Sequence, residues 1–231
     1  MRYIFGLLLL SILFATTLSA QKCEAVRGKT TYSFWLHTPE NNRESALQPI
    51  FVFLHGRSLC GNNLDKVKRY GVLYAMGRGQ DVPGFVVAPQ TQGAWNASKV
   101  MEVVDYVLKN YPQADESRIY ICGMSLGGYG TMEVAGKFPD RVAAAVAICG
   151  GGTLSEASSL GQVPIWLIHG TADRSVPISE SKKIYNAIRK SNPNAEIMFD
   201  EVKGGTHGSV EKFFHKSDIY HWMLEHRKAK S

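Results

Sequence analysis

At 231 residues, the chain is long enough for one domain with a substantial core. Hydrophobic residues make up 45% and charged residues 20%, a globular balance that excludes disordered and collagen-like classes. The net charge of +6 is scattered over Lys66, Lys68, Arg69, Lys182, Lys183 and a tail with Arg227, Lys228 and Lys230, without interleaved aromatics, so no nucleic-acid partner is expected.

Arg2 precedes an uncharged run from Tyr3 to Ala20, apolar at Leu7–Leu10 and Ile12–Phe14 and closed by small residues from Thr16. This pattern predicts a secretory signal peptide over residues 1–20, cleaved after Ala20, with one domain over residues 21–231. The apolar run is short for a bilayer span, so no stable membrane span is expected after cleavage. Lys22 before Cys23 disfavours a lipoprotein site. The expected destination is secreted or periplasmic.

Thr30–Leu36 reads as an early strand, and residues 39–49 as a polar connection. Pro49–Leu54 is almost continuously apolar, as a strand buried on both faces requires, and runs into His55-Gly56-Arg57-Ser58. Leu64, Val67, Tyr70 and Leu73 recur every three residues and predict a helix over Asn63–Ala75. Phe85–Ala88 reads as a buried strand, followed by Pro89-Gln90 and a loop over 91–96 that carries Trp95. Ala97–Asn110 predicts an amphipathic helix with Val100, Val103, Val104, Val107 and Leu108 on one side.

Asp115-Glu116-Ser117-Arg118 leads into Ile119–Cys122, which feeds Gly123-Met124-Ser125-Leu126-Gly127. The helix after it carries Tyr129, Met132, Ala135 and Phe138 and stops at Pro139-Asp140. Strands are predicted over Val142–Ile148, Pro164–Ile168 and Ala195–Phe199, and helices over Ser179–Lys190 and Ser209–His226. A glycine-rich turn, Cys149 to Gly152, and a glycine-bearing loop, Lys203 to His207, punctuate them. Strands alternating with helices predict an α/β domain with a mostly parallel sheet and helices on both faces. In such sheets a site forms at the carboxyl ends of the strands.

A serine between glycines at a strand-to-helix turn projects its hydroxyl above the sheet, because a Cβ at Gly123 or Gly127 would collide with the turn. A hydroxyl is a weak nucleophile and needs an adjacent base, which in turn needs an orienting group. Among seven histidines, His207 lies in a glycine-bearing loop after the last strand and can swing over the serine. His55 and His169 end strands before glycines and read as loop supports. Asp173, in His169-Gly170-Thr171-Ala172-Asp173, is the expected orienting acid, with Asp200 and Glu201 in reserve. The amides of Leu126 and Arg57, with Ser58 as an alternative to Arg57, are placed to hold an oxyanion.

The four cysteines, Cys23, Cys60, Cys122 and Cys149, show neither C-x-x-C nor a zinc spacing. No metal and no cofactor are expected. Cys122 and Cys149 end apolar strands and read as buried thiols. Export leaves pairing of Cys23 with Cys60 open.

Taken together, Leu54-His55-Gly56, Gly123 to Tyr129, His169 to Pro177 and His207-Gly208 resemble the single-domain serine α/β-hydrolases, over about residues 30 to 226. The order Ser, Asp, His is theirs too. Within them the chain is similar to the group of phospholipase/carboxylesterases, feruloyl and acetylxylan esterases and prolyl-oligopeptidase-like peptidases. The resemblance implies a Ser125–His207–Asp173 triad and an acyl-enzyme. It implies a small-molecule or polysaccharide-borne ester as substrate, acyl or feruloyl esters of plant polysaccharide being one such class. A serine peptidase acting on short peptides is the alternative. No insertion between Cys149 and Pro164 is long enough for a large lid. The loop with Gln90 and Trp95 resembles a stretch that lines the substrate pocket in relatives. The resemblance says nothing of the oligomeric state.

Overall fold

The structure, a computed structural model, describes residues 22–39 and 46–229. The leader predicted over residues 1–20 lies outside the described residues.

Eight strands form one sheet: β1 (Lys22–Val26), β2 (Phe34–Thr38), β3 (Gln48–Leu54), β4 (Phe85–Pro89), β5 (Ala114–Met124), β6 (Val142–Ile148), β7 (Ile165–Gly170) and β8 (Ile197–Val202). Their order is β1-β2-β4-β3-β5-β6-β7-β8. The β1–β2 and β2–β4 pairs are antiparallel, and β4 through β8 pair in parallel. The helices are α1 (Val72–Met76), α2 (Ala97–Asn110), α3 (Leu126–Lys137), α4 (Ala157–Leu160), α5 (Ser179–Ser191) and α6 (Ser217–Leu224).

The apolar runs explain the layering. Side chains alternate across a strand, and β3 and β6 bury residues on both faces. Ile50, Val52 and Leu54 pack with Val100 and Val104 of α2, Met132 of α3 and Ile184 of α5. Phe51 and Phe53 point the other way, toward Leu73 of α1 and Ile219 and Met223 of α6. Helices therefore cover both faces, as the alternation of elements predicts.

Five elements differ from the sequence reading. The helix predicted over Asn63–Ala75 is a 3-10 segment, Leu64–Arg69, followed by α1. It breaks at Gly71, whose φ is 80° and where a Cβ would overlap the Phe53 ring. The final helix is likewise split: a 3-10 segment, Ser209–His215, meets α6 at Lys216, which is extended at φ −116° and ψ 138°. The early strand begins at Phe34 rather than Thr30. The sequence reading missed β1 and α4: β1 is a short, charged edge strand, and α4 has only four residues.

Cys23 and Cys60 are both free thiols. Cys23 faces His37 across the β1–β2 ladder, whereas the Cys60 thiol donates to the Gly93 carbonyl at 3.9 Å. No helix among the described residues is long and apolar enough to cross a membrane.

Candidate active site

The turn from β5 to α3 is tight because it has to be. A Cβ on Gly123 would lie 2.7 Å from the Leu54 carbonyl oxygen, and one on Gly127 would lie 2.9 Å from that of His55. Between them Ser125 is held at φ 60° and ψ −122°, a strained conformation for a side-chain-bearing residue. Its amide donates to Ile148 O on β6 at 2.8 Å, which ties the turn to the sheet.

Ser125 opens into a cavity of about 890 Å³. Gly56, Arg57, Leu126 and His207 line it too. Tyr70, Tyr74, Met124, Tyr129 and Val176 give it a largely apolar wall.

His207 Nδ1 donates to Asp173 Oδ2 at 2.7 Å, which leaves Nε2 as the other ring nitrogen for the cavity side. The Asp173 carboxylate is 0% exposed. Its Oδ1 accepts the amides of Ser175 at 2.8 Å and Val176 at 2.9 Å. Burial pushes the carboxyl up, but the donors, Val176 N–H first, then His207, the Cys149 thiol and Ser175 N–H, outweigh it. The net effect holds Asp173 below the usual carboxylate range, so it stays ionised.

Arg57 is the first residue of a 3-10 segment (Arg57–Leu59), and Leu126 is the first of α3. First-turn amides have no acceptor within their own helix. A Cβ on Gly56 would be 3.3 Å from Ser125 Cβ, so the loop that carries the Arg57 amide abuts the serine. That loop is held from outside: Gly56 N–H donates to Tyr70 Oη at 2.8 Å. Ser58, the alternative donor, lines the same cavity.

His55 and His169 do support loops. His55 Nδ1 donates to Gly56 O at 2.8 Å, while Nε2 accepts the Thr91 amide at 3.2 Å. Burial lowers its pKa to about 4 against the raising effect of the Gly56 carbonyl, so the ring is neutral at pH 7. His169 bonds Ser181 Oγ and Val176 O at 2.8 and 2.9 Å, with Nε2 3.4 Å from Asp173 Oδ2. Cys149, His169 and Asp173 bring potential ligand atoms within 4.8 Å of one another, the one such group among the described residues, and all three are engaged in the hydrogen bonds above.

Neither Trp95 nor Gln90 lines the cavity that holds Ser125; Gln90 lines a neighbouring one. Trp95 is 4% exposed. Its Nε1–H donates to His55 O at 3.0 Å, and its ring meets Tyr32 and His55 edge-on. The indole braces the His55–Gly56 strand end instead of lining that cavity. Gln90 Nε2 donates to Leu59 O and Asn63 O, each at 2.8 Å.

The cavity residues that sequence reasoning passed over are Tyr70, Arg69, Tyr74, Tyr129, Val176 and Glu211. Tyr70 was legible only as one apolar position in a helical repeat. Glu211 follows His207 by four residues, the one sequence signal that it shares the site. Its Oε1 accepts Gly71 N–H at 2.8 Å.

Residues 89–222 match the profile of the phospholipase/carboxylesterase family. A bifunctional acetylxylan esterase/xylanase of Neocallimastix patriciarum is 27% identical over 135 residues, 54% of this chain and 19% of that protein. A thermostable esterase of known structure is 27% identical with a TM-score of 0.78, over 89% of this chain and 63% of that one. The feruloyl esterase module of Clostridium thermocellum, 19% identical with a TM-score of 0.63 over 86% of both chains, shares the fold. The chain thus spans 19% and 63% of the first two relatives' lengths. On the profile match, which covers more than half of its residues, and on its sheet, the chain belongs to the phospholipase/carboxylesterase family of the α/β-hydrolase fold.

Proposed function

We propose that the chain is a serine hydrolase of carboxylic esters that works through an acyl-enzyme. The observation that carries this reading is the 2.7 Å bond from His207 Nδ1 to the buried Asp173 carboxylate, at the rim of the cavity that also holds Ser125 on its strained turn. In this reading Asp173 fixes the His207 tautomer, so that Nε2 takes the Ser125 proton as the oxygen attacks the ester carbonyl. The amides of Arg57 and Leu126 hold the oxyanion. Collapse expels the alcohol, which receives its proton from His207. Water, deprotonated by the same imidazole, then releases the acid and restores the serine.

A leader over residues 1–20 and export to the periplasm or beyond belong to the proposal. So does the substrate class of acyl or feruloyl esters on plant polysaccharide, which the relatives' names support. The apolar, tyrosine-rich wall suits an aromatic or short acyl group.

The test is hydrolysis of a short-chain acyl ester and of methyl ferulate by the wild-type chain and by Ser125→Ala. Turnover of either, with at least about a thousandfold loss in the variant, is expected. Equal rates in both proteins would refute the assignment. Faster cleavage of peptide anilides than of either ester would move the reading to a peptidase.

A further inference from the structure

The loop that begins at Arg57 divides two cavities. Arg57 and Ser58 face the serine, while Gly61 and Asn62 line a second cavity of about 500 Å³. Arg57 and Gly61 are four residues apart, so the two rims are at most about 14 Å apart along the chain.

The second cavity is polar and no carboxylate lines it; the nearest bonded acid, Glu102, accepts the amide of the lining residue Thr31 at 3.1 and 3.2 Å. Thr31, Ser33, Asn62, Gln90, Gln92 and Asn96 present amides and hydroxyls to it. The side chains of Asn62, Gln92 and Ser33 make no hydrogen bond to described residues, and the Gln90 carbonyl oxygen is unused while its amide nitrogen is engaged. The two charged lining residues, Arg27 and Lys99, are both cationic; neither is ion-paired among the described residues, and Lys99 Nζ lies over the Tyr32 ring, 5.9 Å from its centre. The serine's cavity repeats the theme: Arg57 and Arg69 have no ion pair there. Its single lining acid, Glu211, is engaged by Gly71 N–H at 2.8 Å and His215 at 3.1 Å.

A ligand that satisfies both kinds of group must be rich in hydroxyls and must carry negative charge. A lipid tail or an apolar peptide would leave the amides and cations unanswered. Tyr32, the one aromatic in the lining, is 8% exposed and offers no open face for stacking a base. We propose that this second cavity is a subsite for an acidic saccharide: a uronate-bearing stretch of polymer crosses the Arg57–Asn62 loop while an ester on the same polymer reaches Ser125. The ester half of that statement rests on the function proposed above. The saccharide half does not, because it concerns binding alone.

The probes are two unesterified sugars, xylotetraose and the same backbone carrying one glucuronate, titrated into the full chain by calorimetry and by amide chemical shifts. The acidic sugar is expected to bind about tenfold more tightly at low salt, since two exposed charge pairs contribute a small factor each. Shifts should centre on Asn62, Gln92 and their neighbours. Raising ionic strength from about 0.05 to 0.5 M should erase the preference. Lys99→Gln and Arg27→Gln, both at surface positions, should each erode it. Equal affinity for the two sugars, no binding, shifts confined to the serine's cavity, or indifference to both variants would each overturn the subsite. Ester turnover by the same preparation reports separately on Ser125, so failure of one reading does not mask failure of the other.

Discussion

Tyr70→Phe isolates what holds the proposed oxyanion loop in place. The phenol accepts Gly56 N–H at 2.8 Å, and the ring meets Phe53 edge-on at 6.4 Å. Phenylalanine keeps the ring and removes the hydroxyl, which also meets Ser58 Oγ at 3.5 Å. Burial pushes the Tyr70 phenol up, so the wild-type group is a neutral hydroxyl across the working range. A hydrogen bond of this kind contributes about 1 kcal/mol net, and a buried amide left without an acceptor costs about 1–3 kcal/mol. Tyr70 lines the cavity, so water can reach part of the gap, and a loss near 1–2 kcal/mol is expected. For a domain of this size that lowers Tm by roughly 2–8 °C. The larger effect should be on rate. Losing one oxyanion donor outright costs about a hundredfold to a thousandfold in kcat. Loosening the loop that carries it should cost about ten- to a hundredfold, with KM within about threefold, because the contact matters most once negative charge has formed on the oxygen. Steady-state kinetics on a short acyl ester, with thermal unfolding in parallel, reads both numbers. A kcat within twofold of wild type, in a variant destabilised as expected, would show that Gly56 and Arg57 do not depend on Tyr70 and would refute the reasoning.

Acid should weaken the fold through Asp115. Burial pushes its carboxyl up, but hydrogen bonds from Ser117 and Arg118 and the charge of Arg118 more than offset this, so its folded pKa lies below the unfolded value. Such a group stabilises the fold above the unfolded pKa and loses that contribution as pH falls through the folded one. Urea midpoints should therefore drop from about pH 5 downward, and Asp115→Asn, already weaker at pH 7, should flatten the slope; an unchanged slope would exclude Asp115 as its source. Thiol titration without reductant should count Cys23 and Cys60 in the native chain and all four cysteines after unfolding, because Cys122 and Cys149 are buried away from the reagent whereas Cys23 is exposed and Cys60 partly so. A native count of zero, with two after unfolding, would instead reveal a Cys23–Cys60 bond. Gly71→Ala should cost about 2–4 kcal/mol, through a left-handed φ and overlap with the Phe53 ring; a loss under about 1 kcal/mol would mean that the turn rearranges at little cost.

The parts legible from sequence are those dictated by a local rule. Val142–Ile148 and Ala97–Asn110 coincide with β6 and α2, because a run buried on both faces and a one-sided valine stripe each have a single structural solution. The elbow was legible for the same reason: glycines flank Ser125 wherever backbone approaches that closely. The residues that failed to declare themselves act over distance. Tyr70 sits at helical spacing, yet Gly71 ends the segment, because a Phe53 ring from another strand occupies the space of a side chain. The periodicity was real, but the tertiary contact outweighed it. The β1 strand, Lys-Cys-Glu-Ala-Val, carries no strand signature. It exists because β2 offers an open edge.

Trp95 shows how this site divides its labour. An aromatic in a loop beside a candidate active site invites a stacking role, yet the indole is inside, with its N–H on the carbonyl of His55. That carbonyl belongs to the residue before Gly56, and His55 itself bonds both Gly56 O and the Thr91 amide. Tyr70 bonds the Gly56 amide from the other side. The strand end that abuts Ser125 is thus fixed by three side chains, two of them buried and closed to substrate. An oxyanion donor must be aligned before charge appears if it is to lower the barrier, and rigidity of this kind supplies that alignment. What remains free to vary with substrate is the outer face of the same loop: Arg57 and Ser58 on one side, Gly61 and Asn62 on the other. Changes there can retune which ester is accepted, whereas changes to Trp95 or His55 should degrade catalysis for every ester alike. Methyl ferulate and a short acyl ester measured side by side on Trp95→Phe would separate the two roles. Equal loss on both substrates follows from a brace, and loss confined to the ferulate would return Trp95 to the pocket.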